Sequence, residues 1–281
     1  METLSTWIDG AQVYASGRTG PLIVMIHGWP DTHRLWESTV QALHPRWRCV
    51  RFDLPGYAGN GMPPTKRSPT VDAVLDRIRT IADHYSPSSK IVLLVHDWGA
   101  AYGYAYACRF PERVAAIVGV DVGDITRKGF FKSLGCFEQL VLLSYQAVLL
   151  IAYALGGDVG DRMTRKMASV LGSPRLGQHI HHRMNYPYLD YWRGAFRGFE
   201  FHALKPPILY LFGRRKPLQF HSPSWLAKLR GARGSAVVEF PGGHWVMSDD
   251  PAGFSQTIDN WLSSCEGLRD VRLNECPGPR R

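Results

Sequence analysis

Short runs of apolar residues recur along most of the chain and alternate with amphipathic segments. The runs are apolar at consecutive positions, which is typical of strands buried on both faces of a parallel sheet. The segments between them place apolar residues three and four positions apart, which predicts helices with one buried face. We predict strands at Thr6–Ile8, Gln12–Ala15, Pro21–Ile26, Cys49–Asp53, Ile91–His96, Val114–Val120, Pro207–Phe212 and Ala236–Phe240. We predict helices at Leu35–Leu43, Thr70–Tyr85, Pro223–Leu229 and Pro251–Leu262, and one that follows Asp97 and ends near Phe110.

The alternation stops between residues 125 and 204, where the pattern is helical and rich in aromatic residues. We therefore divide the chain into a first core segment at 1–123, a helical cap or lid at 124–204, a second core segment at 205–265 and a flexible tail at 266–281. Strands that alternate with helices predict an α/β fold with a mostly parallel sheet covered on both faces. Ligands bind at the carboxyl ends of the strands in such sheets, so we expect the cap to lie over that edge.

One stretch of the cap, Leu140–Leu155, is apolar enough to raise the question of a membrane span. It is shorter than the roughly 20 residues that a spanning helix needs. It also carries the polar groups of Ser144, Tyr145 and Gln146 at its centre. The stretch therefore predicts a buried cap helix and no stable membrane span.

The composition fits one large globular domain, with 281 residues of which 45% are hydrophobic. The net charge of +9 comes without a basic and aromatic nucleic-acid motif, which argues against nucleic acid and leaves weak association with a membrane surface open. Five cysteines without a CxxC pair argue against a disulfide framework and a zinc site. The same cysteines indicate a reducing compartment, and since no secretory pattern stands at the N-terminus, we expect a cytoplasmic protein. We expect neither a metal nor a cofactor. The composition gives no indication of the oligomeric state.

The candidate chemistry starts at Asp97, which follows the apolar run 91–96 and precedes a helix of small residues. A strand, a sharp turn and a helix place the residue at the apex in an exposed position, where it can act as a nucleophile. Gly99 supplies the small residue that such a turn needs, because backbone packs against backbone there. A carboxylate nucleophile forms an alkyl ester with an sp³ carbon, which suits epoxides and alkyl halides. The alternative is a structural role for Asp97 as the N-cap of the helix.

A carboxylate nucleophile needs a base that activates water against the ester, and His244 is the candidate. It follows the last predicted strand, so it is expected at the same edge of the sheet as Asp97. The third member of a triad orients the imidazole and stabilises its positive charge. The loop at 213–217 carries no carboxylate, so the candidates are Asp121, which directly follows the strand Val114–Val120, and Asp124. We favour Asp121 because it falls directly at the end of the strand.

Hydrolysis of the ester passes through an oxyanion that needs preorganised N–H donors. We expect these donors to be the backbone N–H groups of Trp98, directly after the nucleophile, and of Trp29. We expect His27 to be a packed loop residue near them rather than a second base.

The segments His27–Pro30, Asp53–Tyr57, His96–Gly99 and Gly243–Trp245 resemble those of the α/β-hydrolase epoxide hydrolases and of the related haloalkane dehalogenases. The resemblance covers roughly residues 20–123 and 206–262, and it implies the α/β-hydrolase fold. Epoxide hydrolases of the family open the ring with tyrosines of the cap, and the implied positions are Tyr145 and Tyr191, with Tyr186 or Tyr188 as substitutes. Trp192 stands where a tyrosine is expected, and Trp245 follows the base; both are implied substrate contacts. Dehalogenases hold the halide with N–H donors, and Trp98 fits that role.

The resulting prediction is a hydrolase that forms an ester on Asp97, most simply an epoxide hydrolase that acts on a small apolar substrate with water. A haloalkane dehalogenase with the same nucleophile and base is the first alternative. A non-catalytic binding protein on the same scaffold is an alternative of another class, because the loop at 213–217 lacks an acid.

Overall fold

The computed structural model describes residues 3–57, 69–127 and 129–268. The predicted tail at 266–281 lies partly outside these ranges. Eight strands within the described residues form one sheet, in the order β1-β2-β4-β3-β5-β6-β7-β8. Their bounds are β1 (Thr3–Ile8), β2 (Ala11–Ser16), β3 (Leu22–Ile26), β4 (Arg48–Phe52), β5 (Ile91–His96), β6 (Val114–Val120), β7 (Ile208–Gly213) and β8 (Ala236–Phe240). Strand β2 pairs antiparallel with both β1 and β4, and all other neighbouring strands pair parallel. The predicted α/β-hydrolase fold with a mostly parallel sheet is therefore confirmed.

The central strands are buried along their whole length, as their uniformly apolar sequences require. Helices cover both faces of the sheet, and two separate hydrophobic clusters fill the space between the sheet and the helices. The helices of the described residues are α1 (Glu37–Leu43), α2 (Val71–Tyr85), α3 (Trp98–Arg109), α4 (Phe130–Ser133), α5 (Cys136–Leu155), α6 (Gly157–Val170), α7 (Tyr186–Trp192), α8 (Pro223–Gly231), α9 (Val246–Asp249) and α10 (Pro251–Ser264).

Helices α4 to α7 stand between β6 and β7 in the chain, in the segment for which the sequence predicts helices without strands. Some of their side chains pack into the same hydrophobic cluster as β5 and α3. We call residues 124–204 the inserted segment, and its status as a separate cap domain stays a prediction.

Helix α5 is less buried than the sequence predicts. It is long and apolar enough to cross a membrane by length and composition alone, yet only 22% of its most apolar window is buried. The expectation of a buried helix is therefore wrong for one of its faces. The physical reason is that this face has no second layer of protein against it among the described residues, so Leu140, Ile151 and Leu155 remain exposed.

Candidate active site

A sharp turn between β5 and α3 carries Asp97. Its backbone has φ 53° and ψ −125°, a region that non-glycine residues avoid and that is often kept for functional positions. The turn presses on the end of β3, because a Cβ on Gly99 would lie 2.3 Å from the carbonyl oxygen of Ile26. Asp97 stands at the N-cap position of α3, but its side chain makes no capping hydrogen bond there. The carboxylate is directed to other partners instead.

The two oxygens of Asp97 face different groups. Oδ1 accepts a hydrogen bond of 2.7 Å from the backbone N–H of Trp29, while Oδ2 lies 3.4 Å from Nε2 of His244. Burial raises the pKa of this carboxyl, but the hydrogen bond and the charge of His244 outweigh burial and leave the pKa below its usual value. The backbone N–H of Trp98 lowers the pKa in the same direction. Asp97 is therefore ionised, with one oxygen held by N–H donors.

The imidazole of His244 lies between two carboxylates. Its Nδ1 hydrogen-bonds to Oδ2 of Asp121, a fully buried residue that follows β6 directly, with φ 66°. Burial lowers the pKa of His244, but the charge of Asp121, its hydrogen bond and the contact with Asp97 raise that pKa to about 9. The structure thus brings Asp97, His244 and Asp121 together, while their roles as nucleophile, base and acid stay a prediction.

A fourth member of this group, Lys216, was not anticipated from the sequence. Its side chain is 7% exposed, and Nζ donates a hydrogen bond to Oδ1 of Asp121, which also accepts one of 3.1 Å from the N–H of Gly213. Burial raises the pKa of Asp121, but the charges of Lys216 and His244 outweigh burial and leave the pKa below its usual value. The signal in the sequence was the basic loop at 213–217, which follows the neighbouring strand β7. The loop carries no carboxylate of its own, and its cation Lys216 instead binds the carboxylate of Asp121 at the end of β6.

Asp124, the alternative acid, is placed elsewhere. Its carboxylate accepts hydrogen bonds of 2.7 Å from Nε2 of His202, 2.8 Å from the N–H of Ser222 and 2.6 Å from the hydroxyl of Ser222. These bonds join the end of the inserted segment to the start of α8. Since both oxygens are engaged there, Asp124 does not serve the imidazole of His244.

A cavity of about 90 Å³ opens beside Asp97 and His244, and a deeper one of about 30 Å³ continues past Asp97 and Trp98. Space of this kind holds roughly one water per 10–15 Å³, so the two together suit a small organic molecule. Apolar side chains line most of the wall. The first cavity is lined by Trp29, Asp97, Val141, Tyr145, Leu171, Tyr188, Lys216, Pro217, Leu218, Phe220, His244 and Trp245.

The tyrosines expected to act on substrate are not equivalent in the structure. Tyr145 and Tyr188 line both cavities, and burial raises the pKa of each phenol. Tyr191 lines the deeper cavity, but its hydroxyl donates a hydrogen bond of 3.2 Å to the carbonyl of Ile125. Tyr188, expected only as a substitute, is thus better placed than Tyr191.

Of the four remaining candidates, three lie at the site and one lies outside. Trp29 and Trp245 line the larger cavity. His27 is fully buried beneath the Trp29 loop, where its Nε2 accepts a hydrogen bond of 3.0 Å from the N–H of Leu54 and burial lowers its pKa. Trp192 is 47% exposed and lines neither cavity, so its expected contact with substrate is wrong. It comes last in a seven-residue helix, where its indole bonds to the side chain of Gln146 at 2.7 Å.

Comparisons with known proteins identify the family and the fold of the chain. The family model of the alpha/beta hydrolase fold matches residues 21–251. Probable oxidoreductase EphD of Mycobacterium tuberculosis is 33% identical over 117 residues, which are 40% of this chain and 20% of that protein. Epoxide hydrolase 3 of Mus musculus is 23% identical over 275 residues, which are 91% of this chain and 74% of that protein.

A solved structure shows the same fold over nearly the whole chain. A loop variant of the haloalkane dehalogenase DbeA from Bradyrhizobium elkanii superposes with a TM-score of 0.71 at 18% identity, over 96% of this chain and 99% of that one. Against the first curated relatives, the chain spans only 20% to 30% of their length. The chain belongs to the α/β-hydrolase fold family and is similar to the branch that includes epoxide hydrolases and haloalkane dehalogenases.

Proposed function

We propose that the protein hydrolyses a small apolar epoxide to a vicinal diol through a covalent ester on Asp97. The observation that carries this proposal is a carboxylate at the apex of the turn, with the backbone N–H of Trp29 on one oxygen and an imidazole beside the other. A hydroxyl or thiol at the apex would suit acyl transfer, whereas a carboxylate suits attack on an sp³ carbon. Water is the second substrate, and no nucleic acid, metal or cofactor takes part. The cytoplasmic location expected from the cysteines stays a prediction.

In the first half-reaction Oδ2 of Asp97 attacks an epoxide carbon, and the C–O bond of the ring breaks. The opening oxygen becomes an alkoxide, which takes the phenolic proton of Tyr145 with Tyr188 as the second donor. Both phenols line the cavity beside Asp97. Burial raises their pKa values, so both are protonated and able to donate in the resting enzyme.

In the second half-reaction His244 removes a proton from water, and the hydroxide adds to the carbonyl carbon of the ester. The oxyanion forms on Oδ1, where the N–H groups of Trp29 and Trp98 stabilise it. Collapse breaks the bond between that carbon and Oδ2, and the leaving alkoxide takes the proton from His244. The carboxylic acid left on Asp97 then returns its proton to the phenolate of Tyr145, which restores the resting enzyme. Asp121 holds the imidazole through Nδ1 throughout this step.

One turnover in heavy-oxygen water, with a panel of epoxides and haloalkanes, tests this scheme. We expect the label on the peptide that holds Asp97, because the new hydroxyl of the diol comes from the carboxylate. Asp97→Asn should abolish turnover with the fold intact, and His244→Gln should accumulate an adduct mass on the same peptide. Label that enters the diol directly, with none on Asp97, would overturn the covalent scheme.

One observation favours haloalkane dehalogenation as a second candidate. The indole N–H of Trp98 borders the deeper cavity and is buried, and among the described residues it lacks a hydrogen bond of normal geometry, although it lies close enough to the Tyr188 phenol to lower the pKa of that group. It could therefore hold a halide. The indole of Trp29 is instead committed to the side chain of Asn185 at 2.8 Å, which leaves one indole donor rather than two. Tyr145→Phe separates the candidates, because it should slow epoxide opening strongly and leave halide release nearly unchanged.

A non-catalytic binding protein is the remaining alternative. It predicts folded protein that binds apolar ligands in the same cavity and turns over no member of the panel. The acid missing from the loop at 213–217 motivated this alternative. Because Asp121 holds His244, that gap no longer favours it.

A further inference from the structure

The two faces of helix α5 meet different surroundings. Its inner face packs into the protein through Leu142, Gln146, Leu149 and Ala152, and its side chains Val141 and Tyr145 line the larger cavity. Its outer face is exposed to an extent unusual for large apolar side chains. The exposed fractions are 69% for Phe137, 65% for Leu140, 40% for Leu143, 51% for Ile151 and 60% for Leu155.

The outer face is continuous and uncharged. The exposed positions recur at the spacing of one helix face, and no charged residue occurs in the sequence from Gln139 to Gly157. Soluble monomers rarely expose a large contiguous apolar patch, and such patches mark interaction sites.

The charge of the inserted segment decides between a lipid surface and a second copy of the chain. Among its described residues the exposed basic side chains outnumber the exposed acidic ones. The basic side chains are Arg127, Lys132, Arg162, Lys166, Arg183, Arg193 and Arg197, and the acidic ones are Asp158 and Glu200. The whole chain carries a net charge of +9. Two copies that met through the inserted segment would bring like net charges together, whereas an anionic lipid surface would attract the segment.

We propose that the outer face of α5 docks onto the surface of an anionic lipid bilayer, with the helix lying in the plane of the interface. The helix does not span the bilayer, because its inner face is packed and lines the cavity. Apolar area and nearby positive charge together give interfacial binding. An apolar substrate dissolved in lipid would then reach a cavity formed by the same helix. The docking does not depend on the chemistry proposed for Asp97.

Sedimentation with lipid vesicles tests the proposal on the full chain. One set of vesicles is phosphatidylcholine, and the other is an equal mixture of phosphatidylcholine and phosphatidylglycerol. The variant is Leu140→Gln with Ile151→Gln, which removes apolar side chains without adding charge. The matched control is Leu4→Gln with Trp7→Gln on β1, where the exposed fractions are 62% and 66%. Thermal unfolding of each variant verifies the fold, and Phe137→Gln with Leu155→Gln is the substitute variant.

We expect the unmodified protein to bind the anionic vesicles and to release them at high salt. We expect the α5 variant to lose about tenfold or more in binding, and the β1 control to retain it. Absence of vesicle binding, equal binding to neutral vesicles, or equal binding by the α5 variant would each overturn the proposal. A dimer of the unmodified protein in light scattering that the α5 variant separates would assign the face to a second copy instead.

Discussion

The most informative perturbation of the candidate site is Lys216→Met, which removes the cation that binds Asp121. Methionine keeps most of the volume of the side chain, while Asp121 keeps its hydrogen bonds to Gly213 and His244. The carboxylate then shares its charge with the imidazole alone. The imidazolium form of His244 becomes more stable, so its pKa rises above the value of about 9 in the unmodified protein.

The magnitude follows from the geometry of one carboxylate between two cations. Groups that bind the two oxygens of a carboxylate lie roughly 5 Å apart, and with an effective dielectric constant of about 20 their repulsion is roughly 3 kcal/mol. That energy corresponds to about two pKa units, and relaxation around the substituted side chain should leave about one. Loss of one partner from a buried ion pair also destabilises the fold by about 3–5 kcal/mol, or about 6–12 °C in Tm.

Histidine resonances in NMR report the pKa of His244, with the assignment taken from the signal that His244→Gln removes. The acidic limb of the pH profile for ester hydrolysis should move upward with that pKa, because the base must be neutral. Arg215→Met is the matched control, since it removes the same charge from an exposed position in the same loop. If both Lys216→Met and Arg215→Met leave the pKa of His244 and the Tm unchanged, the buried ion pair of Lys216 and Asp121 does not determine the pKa of His244.

Three further outcomes are expected. Gly99→Ala should lower the free energy of unfolding by about 1–3 kcal/mol, measured in urea, because its Cβ would lie 2.3 Å from a carbonyl oxygen of β3. The control Gly231→Ala should leave that free energy unchanged, because nothing lies within 4 Å of its Cβ. Asp124→Asn should lower Tm without moving the pKa of His244, while Asp121→Asn should lower that pKa. The free energy of unfolding should decline by on the order of 3 kcal/mol as pH rises from 6.5 to about 9. The reason is that the raised pKa of His244 contributes stability that is complete below pH 6.5 and lost above pH 9. His244→Gln should remove this decline, and an unchanged decline would contradict the raised pKa.

The sheet could be predicted because its central strands are apolar at nearly every position, which few other structures tolerate. The positions of Asp97 and His244 could be predicted because each follows a strand, and the carboxyl ends of parallel strands meet at one edge. Lys216 could not, because a flexible basic side chain in a loop reads as solvent-exposed until the position of Asp121 is known. The ion pair forms because Asp121 follows β6, Lys216 lies in the loop after β7, and these two strands are neighbours in the sheet.

The sequence predicted that the inserted segment is helical, but it did not show which faces of these helices are exposed. Apolar residues on every side of α5 predicted burial all round, because spacing alone does not show that one face lacks a covering layer. Tyr188 and Trp192 are four positions apart on α7, a spacing that places them on one helix face. Only Tyr188 reaches the cavity, because Trp192 stands at the end of the helix and bonds to α5.

Charges alternate along the candidate site from Lys216 through Asp121 and His244 to Asp97. On the proposed mechanism, this order of charges determines which of Asp97 and His244 is charged at each step. While Asp97 is a carboxylate, the imidazolium beside it keeps Asp97 ionised and therefore nucleophilic. Ester formation makes Asp97 neutral, which removes one of the causes that hold the pKa of His244 at about 9. The imidazole then loses its proton more readily at the step that needs a base, and Lys216 favours that loss by sharing the charge of Asp121.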